Sequence, residues 1–576
     1  MRRTRTWLAA GAIAILAVPF MTSSSLASWT DQEWAHTEPL GTTSLDCGTT
    51  TGFTTQAAGR QVSGTLLGTD LDTLAAVRGV SNKIDGALNE TYAPTPGAHD
   101  LDPTSTTTFT RATSLNVGVL SPLVGVFLPT VDVPTPPSLA VGTLAQYSQV
   151  RPTGIATGAT GAVTNQSGIA TIGDYGASTP PSNGSISLKS VLGSAIGSNI
   201  ADVSLDIGAV SALSRVDGCD VLRQATWDIP AAPSAVTRDY DIANLDLTLT
   251  SPALAGLVTQ VDTSVGQLQT KLNGLQGSLT TGLTTLLNQL DVNLGVLGVT
   301  TAGSGVSVTN IPDVAASVST LLTGFSDADG IVTLSPRTGI IKVNLAKLLN
   351  GTNGLNSLGA NTQFLLTPAV LSNIGTRVAN LVTSWRTQVI NVLTAAANGT
   401  HLKIDLTATV TAVVLVTTVN VAKVKIAIDA DLGALHSNDS LLTAGVTLEV
   451  LDAVLLGGLL DSVLKPFLTS VSSLIRNAIN DIYATITTLD TTLAAGVPVV
   501  ANAVALVFST LQPIFSLYVN VQPDEPGAPP ATSFIPATST STAEYKVTAL
   551  RIGILDGARP ISVNLGTASA GPVSLP

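Results

Sequence analysis

Between Leu254 and Leu290 the apolar residues fall at 254, 257, 261, 265, 268, 272, 275, 279, 283, 286 and 290, in steps of three and four. That spacing draws one stripe down an α-helix and fits no strand, whose side chains alternate with period two. The other positions carry Gln, Thr, Ser and Asn together with Gly256, Gly266, Gly274, Gly277 and Gly282. Each interior glycine costs about 1 kcal/mol relative to alanine, so such a helix must be held by packing. Coiled coils carry charged residues beside their apolar seam, but from 252 to 291 the only charges are Asp262, Lys271 and Asp291. The expected object is an amphipathic helix or helical hairpin packed within its own chain.

A second ladder at 460, 464, 467, 471, 475, 479, 482, 486, 489 and 493 predicts a helical region inside 451–518. No charge occurs from Thr491 to Pro523, yet Asn502, Gln512 and Pro513 interrupt the run. Without Lys or Arg close behind it to set a topology, a helix buried on all sides is expected rather than a membrane span. Residues 366–399 read as a further helix. Strands are expected at "LDVNLGVLGVTT" and "GIIKVNLAKLL". Leu402, Ile404, Leu406, Ala408 and Val410 alternate as in a strand, and Val419, Val421, Val424, Ile426 and Ile428 mark its partner in a long antiparallel pair. From 241 onward the plan of strand, long helix and strand is repeated in pattern.

Residues 40–250 differ. Short apolar runs such as "ATSLNVGVL", "ISLKSVLG" and "IADVSLDIGAVSAL" alternate with Thr, Gly, Pro and Asn punctuation, which marks short strands and loops. "YAPTPGAHDLDPTSTTT" reads as a surface loop. "PDEPGAPPATSFIPATSTSTAE" is a Pro/Ser/Thr loop, and the sequence after it reads as a hairpin turning at Asp556-Gly557. The fold class expected is α+β: a β-rich N-terminal region followed by long antiparallel strands packed with long amphipathic helices. The expected divisions are 1–27, a signal peptide; 28–250, β-rich; 251–525, helices and strands; 526–543, the loop; and 544–576, the hairpin.

The first residues carry the parts of a secretory signal. Arg2, Arg3 and Arg5 form a basic start, Trp7 to Phe20 an apolar segment, and Ser25 and Ala27 the small residues before a cut that leaves Ser28 first. The apolar segment is shorter than the roughly 20 residues that span a bilayer. In "SLASWTDQEWAHTE", Trp29, Asp31, Glu33 and Trp34 then begin the mature chain and are not catalysts. The start "ASWTDQEW" resembles proteins cut by a SipW-type signal peptidase. In an exported chain the isolated pair Cys47 and Cys219 reads as one disulfide, closing a loop of about 170 residues.

Net charge is −12, and removal of residues 1–27 takes away three arginines and brings it to −15. Binding to nucleic-acid phosphates needs clustered Lys and Arg, and none follows residue 5. Charged residues make up 11% of the chain, against about 25% in ordinary soluble domains. A Thr-, Ser- and Gly-coated surface suits an extracellular protein.

Motifs that carry chemistry are sparse. The four histidines, His36, His99, His401 and His436, form no HExxH or HxxxH pair, and GxSxG, GxxxxGK[ST] and CxxC are absent. His401 beside Asp405 and His436 in "LGALHSNDS" are the candidates for a dispersed hydrolytic site; satisfied or exposed rings are the expected reading. Asp327 and Asp329 in "SDADGIVTL" open like a calcium loop, but no further carboxylates follow in step, so a turn is expected. No cofactor and no metal site is assigned.

Several stretches in order carry a family resemblance: "ASWTDQEWAHTEPL", "GRQVSGTLLGTDLDTLAAVRGV", "IIKVNLAKLLNGTNGLNSLGANTQFLLTPAVL", "LYVNVQPDEPG" and "YKVTALRIGILDGARPISVNLGTASAGP". Together they resemble the choice-of-anchor G family of exported actinobacterial-type proteins. The resemblance implies related chains held at the surface by different anchors, and no catalytic residues. This chain closes on "GPVSLP" without an LPxTG motif or apolar tail, which leaves release, non-covalent retention and a longer chain as alternatives. The expected function is that of an exported, non-enzymatic cell-surface or matrix protein of structural or adhesive type. Its expected partners are envelope or matrix components, or further copies of itself, with no nucleic acid and no stable membrane span in the mature chain. The alternatives are an extracellular carrier of apolar ligands in a helix–strand cavity and a hydrolase with dispersed residues.

Overall fold

The computed structural model describes residues 45–576 apart from 67–68, 72–77, 93–98, 101–103, 115–125, 128–143, 163–183, 194–196, 295–296, 415–416, 457 and 555–560. Strand Thr54–Leu66 lies antiparallel to strand Ile561–Ser574, with Thr54 opposite Ser574 and Leu66 opposite Ile561. The two ends of the described chain are thus neighbours in one eight-stranded sheet. Its order is Thr362–Phe364, Phe515–Val521, Tyr545–Ile554, Ile561–Ser574, Thr54–Leu66, Val80–Ile84 and Glu90–Tyr92, with Thr69–Asp70 also on Thr54–Leu66.

A six-stranded sheet packs on this one. It runs Val236–Ile242, Val210–Asp217, Ile155–Ala162, Leu144–Val150, Phe109–Ser114, His99–Asp100. The approach is unusually close. A Cβ added to Gly158 would lie 2.1 Å from the Ala58 carbonyl oxygen, and one on Gly59 would lie 2.1 Å from that of Ala159. Facing sheets normally stand about 10 Å apart because side chains separate them; here small residues remove the spacer. Polar groups bridge the seam instead. The Gln61 N–H donates to Gln146 Oε1 at 2.8 Å, and Ser148 Oγ donates to the Ala57 carbonyl at 2.9 Å. Thr160 Oγ1 donates to Gln61 Oε1 at 2.5 Å. Buried polar groups must be paired in this way, and the seam gives the Gly, Ala, Ser and Thr of the composition a structural purpose.

A seven-stranded sheet, Phe325–Ser326, Val332–Ser335, Ile340–Asn344, Leu245–Thr250, Asp202–Ile207, Gly184–Ser187, Val126–Phe127, buries Val203, Leu205, Leu247, Leu249, Ile341 and Val343. The fourth sheet has the order Gly298–Thr309, His401–Val414, Thr417–Asp431, Val446–Val450. All the pairs in these sheets are antiparallel.

Three long helices join the sheets: α1 (Pro252–Leu294), α2 (Pro368–Asn398) and α3 (Lys465–Leu511). Thr367 caps α2, accepting from the Val370 N–H, with Pro368 at the first turn. α3 runs antiparallel to both neighbours. Gly496 of α3 meets Leu257 of α1 and Gly282 of α1 meets Leu474 of α3, while Asp481 takes Lys271 between them. On the other flank Arg386 of α2 forms two bonds to Asp490, at 2.7 and 2.8 Å. Twelve apolar residues of α1 are buried. At roughly 1.5–3 kcal/mol each they outweigh the glycine cost of about 1 kcal/mol per position.

The α+β class and the two helical ladders read from the sequence are present, and the structure corrects their ends. α1 continues through Leu290 and Leu294, one more turn of the same stripe, so the strand expected at "LDVNLGVLGVTT" begins only at Gly298. "GIIKVNLAKLL" is a strand only to Asn344, whose side chain caps the helix Leu345–Asn350. α3 stops at Leu511 rather than near 518, because Pro513 disfavours helix in the residue before it, and Phe515–Val521 is a strand. The uncharged half of α3 is buried on one face and not on all sides: Val500, Val504, Val507, Phe508 and Leu511 are buried, whereas Val499 and Leu506 are exposed. This helix, from Leu460 to Leu511, is long and apolar enough to cross a membrane by composition. In the hairpin 401–431 a bulge after Val410 shifts the register, so Val421 and Ala422 are both buried and Val419 is turned outward.

The divisions expected at residues 250, 525 and 543 fall among shared sheets. Leu245–Thr250 pairs with Ile340–Asn344, Phe515–Val521 with Tyr545–Ile554, and the C-terminal hairpin strand with Thr54–Leu66. Residues Asp46–Pro576 form one unit. The turn expected at Asp556-Gly557 lies outside the described residues.

One border of the fourth sheet is bare. Gly298–Thr309 is twelve residues long and pairs only on one side, with His401–Val414, among the described residues. It contains no charged residue and no proline, the usual protections of a sheet edge. One register irregularity, between Ala302 and Gly305, interrupts it.

Candidate functional site

The pairing of the chain ends creates a polar cleft of about 370 Å³. Strand Thr54–Leu66 supplies Arg60 and Ser63, strand Val80–Ile84 supplies Ser81, and Arg78 comes from just before it. Lys546, Thr548, Asn564, Thr567 and Ser569 come from the C-terminal hairpin, and the loop at 531–533 forms the rim. Arg60 is fixed by its Nε donating to the Val62 carbonyl at 3.0 Å and by a bond to the Leu71 carbonyl at 3.4 Å. Lys546 Nζ donates to the Ser533 carbonyl at 2.8 Å and lies 3.3 Å from Glu544. Glu544 also accepts from the Ile535 N–H at 3.2 Å. Arg78 is exposed. Three cations and one carboxylate therefore share this cleft, in a chain whose net charge is −12. Together with the hydroxyl lining, it is suited to oxygen-rich anionic groups.

The histidines named from the sequence are apart. His401 stands between two carboxylates, its Nδ1 2.7 Å from Asp431 and its Nε2 2.9 Å from Asp429. The partner expected from sequence, Asp405, is not one of these. Carboxylates at both ring nitrogens favour the doubly protonated ring, in which both nitrogens donate. Accordingly the bonds to Asp431 and then Asp429 raise the His401 pKa above its ordinary 6.5. His436 stacks on Tyr483 with ring centroids 3.7 Å apart. Burial pushes the Tyr483 hydroxyl up to about 12, and that hydroxyl lies 2.6 Å from Asn398 Oδ1. Both rings are engaged in structural contacts. His99 lies in the short strand beside Phe109–Ser114, and His36 lies outside the described residues.

Asp327 and Asp329 form the expected turn. Asp327 Oδ1 accepts from the N–H groups of Ile331 and Val332, and Arg377 of α2 lies 2.8 Å from Asp327 and 2.7 Å from Asp329. The arginine supplies the positive charge. The turn borders an open hollow of about 490 Å³ lined by Phe325, Leu321 and Trp385. Trp385 is buried there and donates to the Leu321 carbonyl at 2.8 Å.

Cys47 and Cys219 are bonded, with Cα atoms 5.5 Å apart, across 172 residues of sequence. The signal-cleavage residues Ser25, Ala27 and Ser28 lie outside the described residues, as do Trp29, Asp31, Glu33 and Trp34. Sequence reading did not find Arg60, Arg78 and Lys546 as a group. No local motif links them, because it is long-range strand pairing that brings the third to the other two. Arg377 was missed because the packing of α2 against the turn, not a local motif, brings it to Asp327 and Asp329.

The family model described as a domain of unknown function, DUF8394, matches residues 57–571. The chain belongs to this family. The DUF8394 match begins within Thr54–Leu66 and ends within Ile561–Ser574, so it takes in both partners of the closing strand pair, the cleft and all three long helices. No curated protein and no solved structure matches the chain.

Proposed function

We propose that this DUF8394 chain is an exported, non-enzymatic cell-surface or matrix protein of structural or adhesive type, related to the choice-of-anchor G proteins. The observation that carries the reading is the bare strand Gly298–Thr309. Apart from the irregularity between Ala302 and Gly305 and the Asp291 carboxylate on the Val299 N–H, this long, uncharged edge is a template on which another strand can pair, and a strictly monomeric protein has reason to blunt it further. The disulfide agrees with an oxidising compartment. The cationic, hydroxyl-lined cleft adds a place where anionic envelope components can be held.

The test is assembly of the secreted protein. Light scattering across a concentration series is expected to show growth beyond the monomer. Thr301→Lys with Ser307→Lys, both exposed on the bare strand, should abolish that growth without changing the far-ultraviolet spectrum. A wild-type chain that stays monomeric throughout, or that fractionates only with the cytoplasm, overturns the reading.

A further inference from the structure

The end of the fourth sheet at Val414 and Thr417 carries exposed apolar side chains. The strands are antiparallel, so the start of Gly298–Thr309, the paired strand ends Val414 and Thr417 and the end of Val446–Val450 lie toward that end. Val413 is 70% exposed at the tip, and Val414 and Val419 are exposed beside it. Val450 and Leu451 emerge from the neighbouring strand end, and Val454, just after them, is 90% exposed. Val292, in the last turn of α1 as it leads to Gly298, is 79% exposed. Single exposed apolar residues are ordinary, but a group at one end of a fold marks a contact surface.

We propose that this end of the molecule dips into the apolar layer of a lipid surface, with Val413 and Val414 leading and Val454 set back beside the neighbouring strand end, opposite Val421 and Ala422. The inference is independent of the bare edge strand and of the assembly reading.

Four features choose lipid over a protein partner. First, Val414 pairs with Thr417 and Val413 with Thr418, so these strand ends sit in a backbone ladder, the arrangement that entry into hydrocarbon demands. Second, residues 406–422 contain no charge. Asp405 and Lys423 stand nine and six residues back from Val414 and Thr417, roughly 20–30 Å along the strands.

Third, protein interfaces concentrate their energy in Trp, Tyr and Arg seated in pockets. This end offers valines, a leucine and threonines on protruding element ends. Fourth, the charges nearest the rim are mostly acidic. Asp291 accepts from the Val299 N–H at 3.1 Å, Asp452 from the Val454 N–H at 3.0 Å, and Glu449 pairs in register with Lys423. Such a rim gives no attraction to anionic headgroups, so the contact is apolar and suited to zwitterionic lipid.

The experiment uses the full secreted chain and phosphatidylcholine vesicles. Co-sedimentation is expected, retained in high salt and weaker when phosphatidylglycerol is added. In Val413→Trp the new indole emission should shift to the blue on mixing and be quenched by brominated acyl chains. Val413→Asp with Val454→Asp should reduce vesicle binding at least tenfold while leaving the thermal transition in place; Val413→Thr with Val454→Thr should reduce it less. Absence of wild-type binding, binding unchanged by the aspartates, or binding abolished by salt would each overturn the proposal. So would a tip-dependent dimer that ignores vesicles.

Discussion

At the scale of single residues, His401 stands between two carboxylates that favour its protonated form. Its pKa in the fold is raised above 6.5 by the bonds to Asp431 and Asp429. A raised folded value means that the group's contribution to stability is complete below pH 6.5 and is lost as pH rises through the folded value. The denaturation midpoint of the wild type, relative to that of His401→Gln, is therefore expected to fall between about pH 6 and about pH 9. Equal differences at both ends would show that Asp429 and Asp431 do not govern the ring. The sequence displayed His401 next to Asp405, two strand steps along its own face, but hid the cross-strand partners 28 and 30 residues later. Register decides such neighbours, and a bulge after Val410 sets it here.

At the scale of elements, the helix glycines divide into two kinds that look identical in the sequence. Gly274 and Gly277 of α1 have open space where a Cβ would go. Alanine at either should stabilise the protein by about 0.5–1 kcal/mol, read from urea unfolding. Gly496 of α3 has no such room: its added Cβ would fall 2.3 Å from a methyl of Leu257, a buried side chain. Gly496→Ala should destabilise by about 1–3 kcal/mol; a gain there would mean that α1 and α3 do not approach at this point. The apolar ladders were legible because a stripe is a local property. Leu254 through Leu290, and 464 through 493, are buried almost as spaced. What lies against a stripe is not local, so the close approach at Gly496 and the one-sided burial of 500–511 could not be read. The cleft was illegible for a like reason, since Arg60 and Lys546 meet only after the outermost strands pair.

At the scale of the whole molecule, the Cys47–Cys219 bond closes a loop spanning 172 residues. A chain-entropy treatment assigns such a cross-link about 5 kcal/mol, with measured losses of about 2–5 kcal/mol in small secreted domains. Cys47→Ala should lower unfolding stability within that range, and reduction of the wild type should reproduce most of the change. The bond also has a mechanical consequence. Strand Thr54–Leu66 and strand Ile561–Ser574 are antiparallel neighbours whose outer ends, Thr54 and Ser574, lie side by side. Tension pulling those two ends apart would unzip their hydrogen bonds one pair at a time, the weakest way to stress a sheet. Cys47 intercepts that tension before it reaches Thr54 and hands it to Cys219, in the helix that follows Val210–Asp217. A pull arriving from the N-terminal side is thereby diverted through a covalent shunt into the six-stranded sheet, and the zipper is left unstressed.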